Sequence, residues 1–108
     1  MIRHRWRWHV RNAVDEAALL AVTNKYLKEW TWAERSRLPT DAWPHRIDDA
    51  HSLAEWTFRL ADLNREFQDA PWPMLEELQN LLLFFTHASV RMAQLSRSKE
   101  GSDTELES

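Results

Sequence analysis

The sequence predicts an all-α domain. Three main helices form an antiparallel, bundle-like unit, preceded by a short extended N-terminal arm or strand and completed by dimerisation. Three observations carry this expectation. Met74–Leu95 reads MLEELQNLLLFFTHASVRMAQL, without Gly or internal Pro. At about 100° per residue, its Leu75, Leu78, Leu81, Leu82, Phe84, Phe85, Ala88, Met92, Ala93 and Leu95 cover a broad arc. Leu83 and Val90 widen it, leaving a polar stripe of Glu76, Asn80, His87, Arg91 and Gln94. A helix apolar around so much of its girth needs several neighbours. Second, proline-bearing breaks at 39–46 (PTDAWPHR) and 69–73 (DAPWP) divide the chain into helix-length pieces. Third, the 108 residues include one Gly, at position 101, so tight turns and bulges have no glycine to use.

Taken in order, residues 2–11 (IRHRWRWHVR) alternate strictly. Ile2, His4, Trp6, Trp8 and Val10 fall on one side and Arg3, Arg5, Arg7, His9 and Arg11 on the other. That is the period of a strand with one apolar and one basic face. No second strand is visible, so the arm must pair with a copy of itself, join a partner's sheet or stay extended. A frayed extension of the next helix is the alternative.

The first main helix is expected over 12–37, with Asn12 as its cap and Asp15 and Glu16 in its first turn, where the helix dipole favours negative charge. Leu19, Leu20, Val22, Tyr26, Leu27, Trp30 and Ala33 give it a wide apolar face, and Pro39 ends it. The second spans 46–68. Leu53, Trp56, Leu60, Leu63 and Phe67 form one seam; Ile47, Ala50, Ala54, Phe58 and Ala61 form another, which predicts two neighbours. The third spans 73–97. Trp43 and Trp72, one in each break, are expected to pack over bundle ends. The domain therefore divides into an arm (1–11), a helical body (12–97) and a polar, acidic tail (98–108) expected to be disordered.

Composition excludes several function classes. Apolar residues make up 44% of the chain and charged residues 29%, enough to fold as one domain. With no glycine-rich loop there is no dinucleotide fingerprint, P-loop or nucleophile elbow. Cysteine is absent, which removes disulfides, thiolate metal sites and a catalytic thiol. No signal-peptide pattern or membrane-length apolar run is present, so a cytoplasmic protein without membrane attachment is expected. Net charge is −3 but uneven: +4 over residues 1–37 and −6 over residues 38–80. A basic head and an acidic middle suit self-association or an asymmetric partner surface.

The arm is the main candidate site: Arg3, Arg5, Trp6, Arg7, Trp8 and Arg11. Guanidinium groups contact phosphates or carboxylates, and Trp rings stack on bases or on Arg. A basic strand followed by helices resembles the ribbon-helix-helix DNA-binding proteins, in which paired strands of a dimer enter the major groove. Here the following helix is longer and the glycine-containing inter-helix turn is missing. Separately, Arg46-Ile47-Asp48-Asp49-Ala50-His51 is similar to the Arg-x4-His signature of HEPN ribonucleases, which are small, helical and often dimeric. That resemblance implies RNA cleavage, with His51 as general acid/base and Arg46 as phosphate clamp. The chain departs from it at Ile47, where the motif usually has a polar residue, and in opening a helix early in the domain.

Asp48, His51 and Glu55 lie on one helical face, yet no Glu-x-x-His pair supplies the rest of a bundle metal site, so no metal or other cofactor is expected. His87 reads as a hydrogen-bonded core histidine. A functional cavity, if one exists in the body, would open along Asn80, His87 and Arg91. The expectation is a non-enzymatic interaction or regulatory protein, homodimeric, binding an unknown protein partner. Nucleic-acid binding through the Arg/Trp arm and HEPN-like ribonuclease activity are the alternatives.

Overall fold

The computed structural model describes residues 5–34, 44 and 46–107, with side chains described for 5–30, 44, 46–72 and 74–97. All regular structure among them is helical: α1 (Arg5–Arg11), α2 (Glu16–Glu34), α3 (Ala50–Glu66) and α4 (Trp72–Glu107). The all-α expectation holds, with four helices rather than three. At 1.5 Å per residue the 36 residues of α4 span about 54 Å, which accounts for the longest dimension of the molecule, 55 Å. No helix among the described residues is long and apolar enough to cross a membrane.

The additional helix corrects the N-terminal expectation. Residues 5–11 are α-helical, not a strand or extended arm; Arg3 and the rest of 1–4 lie outside the described residues. The physical reason is that a lone strand leaves its backbone N–H and C=O groups unpaired, whereas even a short helix pairs part of them internally. Helical spacing also suits the packing. Trp6 and Val10, four apart, are both buried, while Trp8 is 63% exposed. Strict alternation would have turned all three the same way.

The junction that follows also differs from expectation. Asn12 closes α1 instead of opening α2: its backbone N–H and its Nδ2 both donate to the Trp8 carbonyl, at 3.0 and 2.8 Å. Asp15 opens α2, its Oδ1 accepting from the Ala18 N–H at 2.7 Å. Asp49 does the same for α3, accepting from the Ser52 N–H at 2.7 Å. That bond, then one from the Ser52 side chain, and the nearby His51 hold the Asp49 carboxyl below its ordinary pKa.

α4 is the spine. Leu78, Leu81, Phe84, Phe85 and Ala88 are fully buried, and α1, α2 and α3 all pack against it. Each large apolar side chain so buried stabilises the fold by about 1.5–3 kcal/mol. The first seam of α3 faces α4, with Leu53 and Leu60 fully buried. Thr57, on the same face, joins Ser89 at 2.8 Å while its hydroxyl donates back to the Leu53 carbonyl. The second seam of α3 does not find a continuous neighbour: Ile47 is buried, but Ala54 is exposed and Phe58 is 77% exposed. Trp72 is likewise exposed rather than packed over a bundle end, and Trp43 lies outside the described residues. α4 continues to Glu107, so the backbone of 98–107 is helical where composition predicted a disordered tail.

The lead-in to α3 is pinned by one side chain. Asn24 on α2 donates from Nδ2 to the Ile47 carbonyl at 2.8 Å and accepts the Ile47 N–H at 2.7 Å through Oδ1. Nδ2 also donates to the Leu20 carbonyl at 3.0 Å. The amide thus behaves like a piece of backbone and satisfies both polar groups of a residue whose side chain is 1% exposed. Asn24→Ala is expected to lower stability by about 2–3 kcal/mol, because it orphans partly buried donors and acceptors. Urea unfolding checks this; a loss under about 0.5 kcal/mol would mean that water replaces the amide.

Candidate functional site: a cationic groove between α1 and α4

α1 is anchored through Trp6, whose ring meets Phe84 at 5.2 Å and His87 edge-on at 5.3 Å. Tyr26 of α2 closes the same aromatic cluster against Phe84, at 6.2 Å. A second tie joins the junction after α1 to α4: Arg91 donates from Nη2 to the Ala13 carbonyl at 2.8 Å, across 78 residues of sequence. With Trp6 and Arg91 setting the spacing, the two helices leave a groove of about 440 Å³ lined by Arg7, Val10, Arg11, His87, Val90, Arg91 and Gln94.

The chemistry of this lining is one-sided. Among the described residues it has three guanidinium groups and no carboxylate. Arg7 and Arg11 are one turn apart on α1, so their like charges disfavour the helix by a few tenths of a kcal/mol. Arg7 also lies over the Trp6 ring, 5.3 Å from its centroid, which helps hold it there. Arg91 is partly buried; besides the Ala13 carbonyl it reaches Gln94 Oε1 only at 3.4 Å, and its Nε has no partner among the described residues. The guanidinium therefore keeps unused donors. Two carbonyls at and just beyond the end of α1 are occupied: Trp8 by Asn12, and Ala13 by Arg91. Val10, buried, supplies an apolar floor, and Val90, 52% exposed, an apolar wall.

Of the residues singled out from sequence, Arg7 and Arg11 line this groove, and Trp6 is the buried anchor beneath it. Arg5 is exposed outside the lining, Trp8 is turned away against His9 at 5.0 Å, and Arg3 lies outside the described residues. The polar stripe of α4 does open onto a cavity at His87 and Arg91, joined by Gln94 but not Asn80. His87 is exposed at the groove rather than a core histidine. The contribution of Arg91 to a site with the N-terminal arginines needed the tertiary pairing of α1 with α4. The available signal was the i, i+4 placement of Trp6/Val10 and Arg7/Arg11, which a helical phasing of the arm reveals.

The other candidates are dispersed. Arg46 pairs with Asp48 at 2.8 Å and His51 with Glu55 at 2.8 Å, each within its own turn and each well exposed. Ser89 is held by Thr57. Among the described residues no group of three or more His, Asp or Glu side chains gathers as a metal site would require. No protein-family model matches the chain, and neither a curated protein nor a solved structure matches it significantly.

Trp6→Ala removes the anchor and is expected to cost about 3–5 kcal/mol, the usual range for a buried aromatic. Hydrogen exchange locates the damage: α1 amides should lose protection while those of α3 keep theirs. Undiminished protection in α1 would show that Arg91 alone holds the helix in place.

Proposed function

We propose that this protein is a non-enzymatic interaction or regulatory protein that docks an acidic segment of a protein partner in the α1–α4 groove. The observation that supports this is the gathering of Arg7, Arg11 and Arg91 around an apolar floor with no carboxylate among the described lining residues. Like charges brought together on a short helix carry a cost, and an anionic ligand offsets it. The apolar component suits an amphipathic peptide, which presents carboxylates beside aliphatic side chains. Fluorescence anisotropy with a labelled Glu/Leu helical peptide tests the reading. Binding is expected to weaken with added salt and to fall at least about tenfold in Arg7→Glu/Arg11→Glu, the loss of roughly one charge-assisted hydrogen bond. Equal binding by the double variant would reject the groove as the docking site.

Nucleic-acid binding is the second reading, favoured by Trp8, whose largely exposed ring on α1 offers a stacking surface. Titrating the same protein with duplex and single-stranded DNA at low salt separates the two. DNA affinity above that of the peptide, with a steep salt slope, favours the second.

We propose further that the protein is a homodimer. Phe58, Trp72 and Leu83 remain exposed on a single chain and lie outside the groove. Covering them with a second copy stabilises association by about 25 cal/mol per Å² of apolar surface. Sedimentation at micromolar concentration should give a dimer, and Phe58→Asp/Leu83→Asp should give a monomer. A monomeric parent protein would end this proposal.

A further inference from the structure

The groove concentrates its charge instead of spreading it. Arg7 and Arg11 are one helical turn apart, and Arg91 is tied to the Ala13 carbonyl, two residues past the end of that same short helix. A single carboxylate brings one negative charge and two oxygens to three guanidinium groups. A phosphate monoester brings about 1.5–2 negative charges and three strong acceptor oxygens, and the planar fork of Arg matches it bidentately. Gln94 accepts from Arg91 through Oε1, which leaves its amide N–H₂ as a further, neutral donor. A phosphodiester chain is a poorer match. Its charges come one per nucleotide along an extended track, whereas these arginines share one cavity with Val10 and Val90.

We infer that the ligand group of this groove is the phosphate monoester of a phosphoserine or phosphothreonine in a protein segment, with aliphatic residues beside it seated on Val10 and Val90. The inference rests on the groove being a protein-docking site and names the group it recognises. It makes binding conditional: the partner is held when phosphorylated and released when the phosphate is removed.

Calorimetric titration of the full chain tests it with one short synthetic peptide in three forms, its central residue Ser, Glu or phosphoserine between Leu and Val. Inorganic phosphate and a 5′-phosphorylated single-stranded DNA are run alongside. The phosphoserine peptide is expected to bind at least about tenfold tighter than the Glu form, and tighter than inorganic phosphate by a similar factor, as one additional charge-assisted contact implies. Because Arg91 also ties α1 to α4, Arg11→Gln is the deciding variant. It should keep the parent's circular dichroism and lose most of the preference for phosphoserine. Equal affinity for the Glu and phosphoserine peptides overturns the phosphate assignment and leaves acidic-segment docking standing. Inorganic phosphate binding as tightly as the phosphopeptide overturns the peptide part. Tighter binding of the DNA, or no binding by any probe, overturns both this inference and the docking reading it rests on.

Discussion

Phe84 and Phe85 are consecutive residues on α4, so their side chains leave the helix about 100° apart, yet both are fully buried. That single constraint demands cover from more than one side. Leu78, Leu81 and Ala88 extend the demand along the helix, and the rest of the fold answers it. α3 lies along one flank, α2 along another, and α1 fills the gap where Trp6 reaches Phe84. The short N-terminal helix is therefore bound to the core by its aromatic residue while its arginines stay at the surface. The groove is a by-product of that division of labour within seven residues.

How much of this was legible depended on how far each signal reached. The arc of α4 and the first seam of α3 are long, and over four or five turns helical periodicity has no competitor. The arm is short. Across residues 5–11 the alternation of Trp6, Trp8 and Val10 fits a strand as well as a helix, and only the hydrogen-bonding demand of the backbone separates them. Asn12 and Asp15 are both good caps three residues apart. Which one opens α2 was decided by where α1 had to stop, since Asn12 was already engaged with the Trp8 carbonyl. The second seam of α3 misled for a different reason: periodicity reports an apolar face but not whether this chain supplies something to cover it, and Phe58 is left open.

The site was half visible. Its arginines on α1 stand out as a local bias, and the polar stripe of α4 stands out against its apolar background. That the two meet requires the docking of α1, a contact between residues some eighty positions apart, and no pattern within either segment encodes it. Arg91 illustrates the limit. In sequence it is one residue of a solvated stripe; in the structure it is a brace for α1 and a wall of the groove at once.

The clamp of Asn24 on Ile47 has a consequence for the chain between α2 and α3. By fixing both backbone groups of Ile47, it sets the starting point of α3 independently of how the preceding residues travel. The entropy of closing such a connection grows only slowly with its length. The register of α3 on α4 thus starts from Ile47, a point held by α2. One amide on α2 therefore does for α3 what a run of backbone pairing would otherwise have to do.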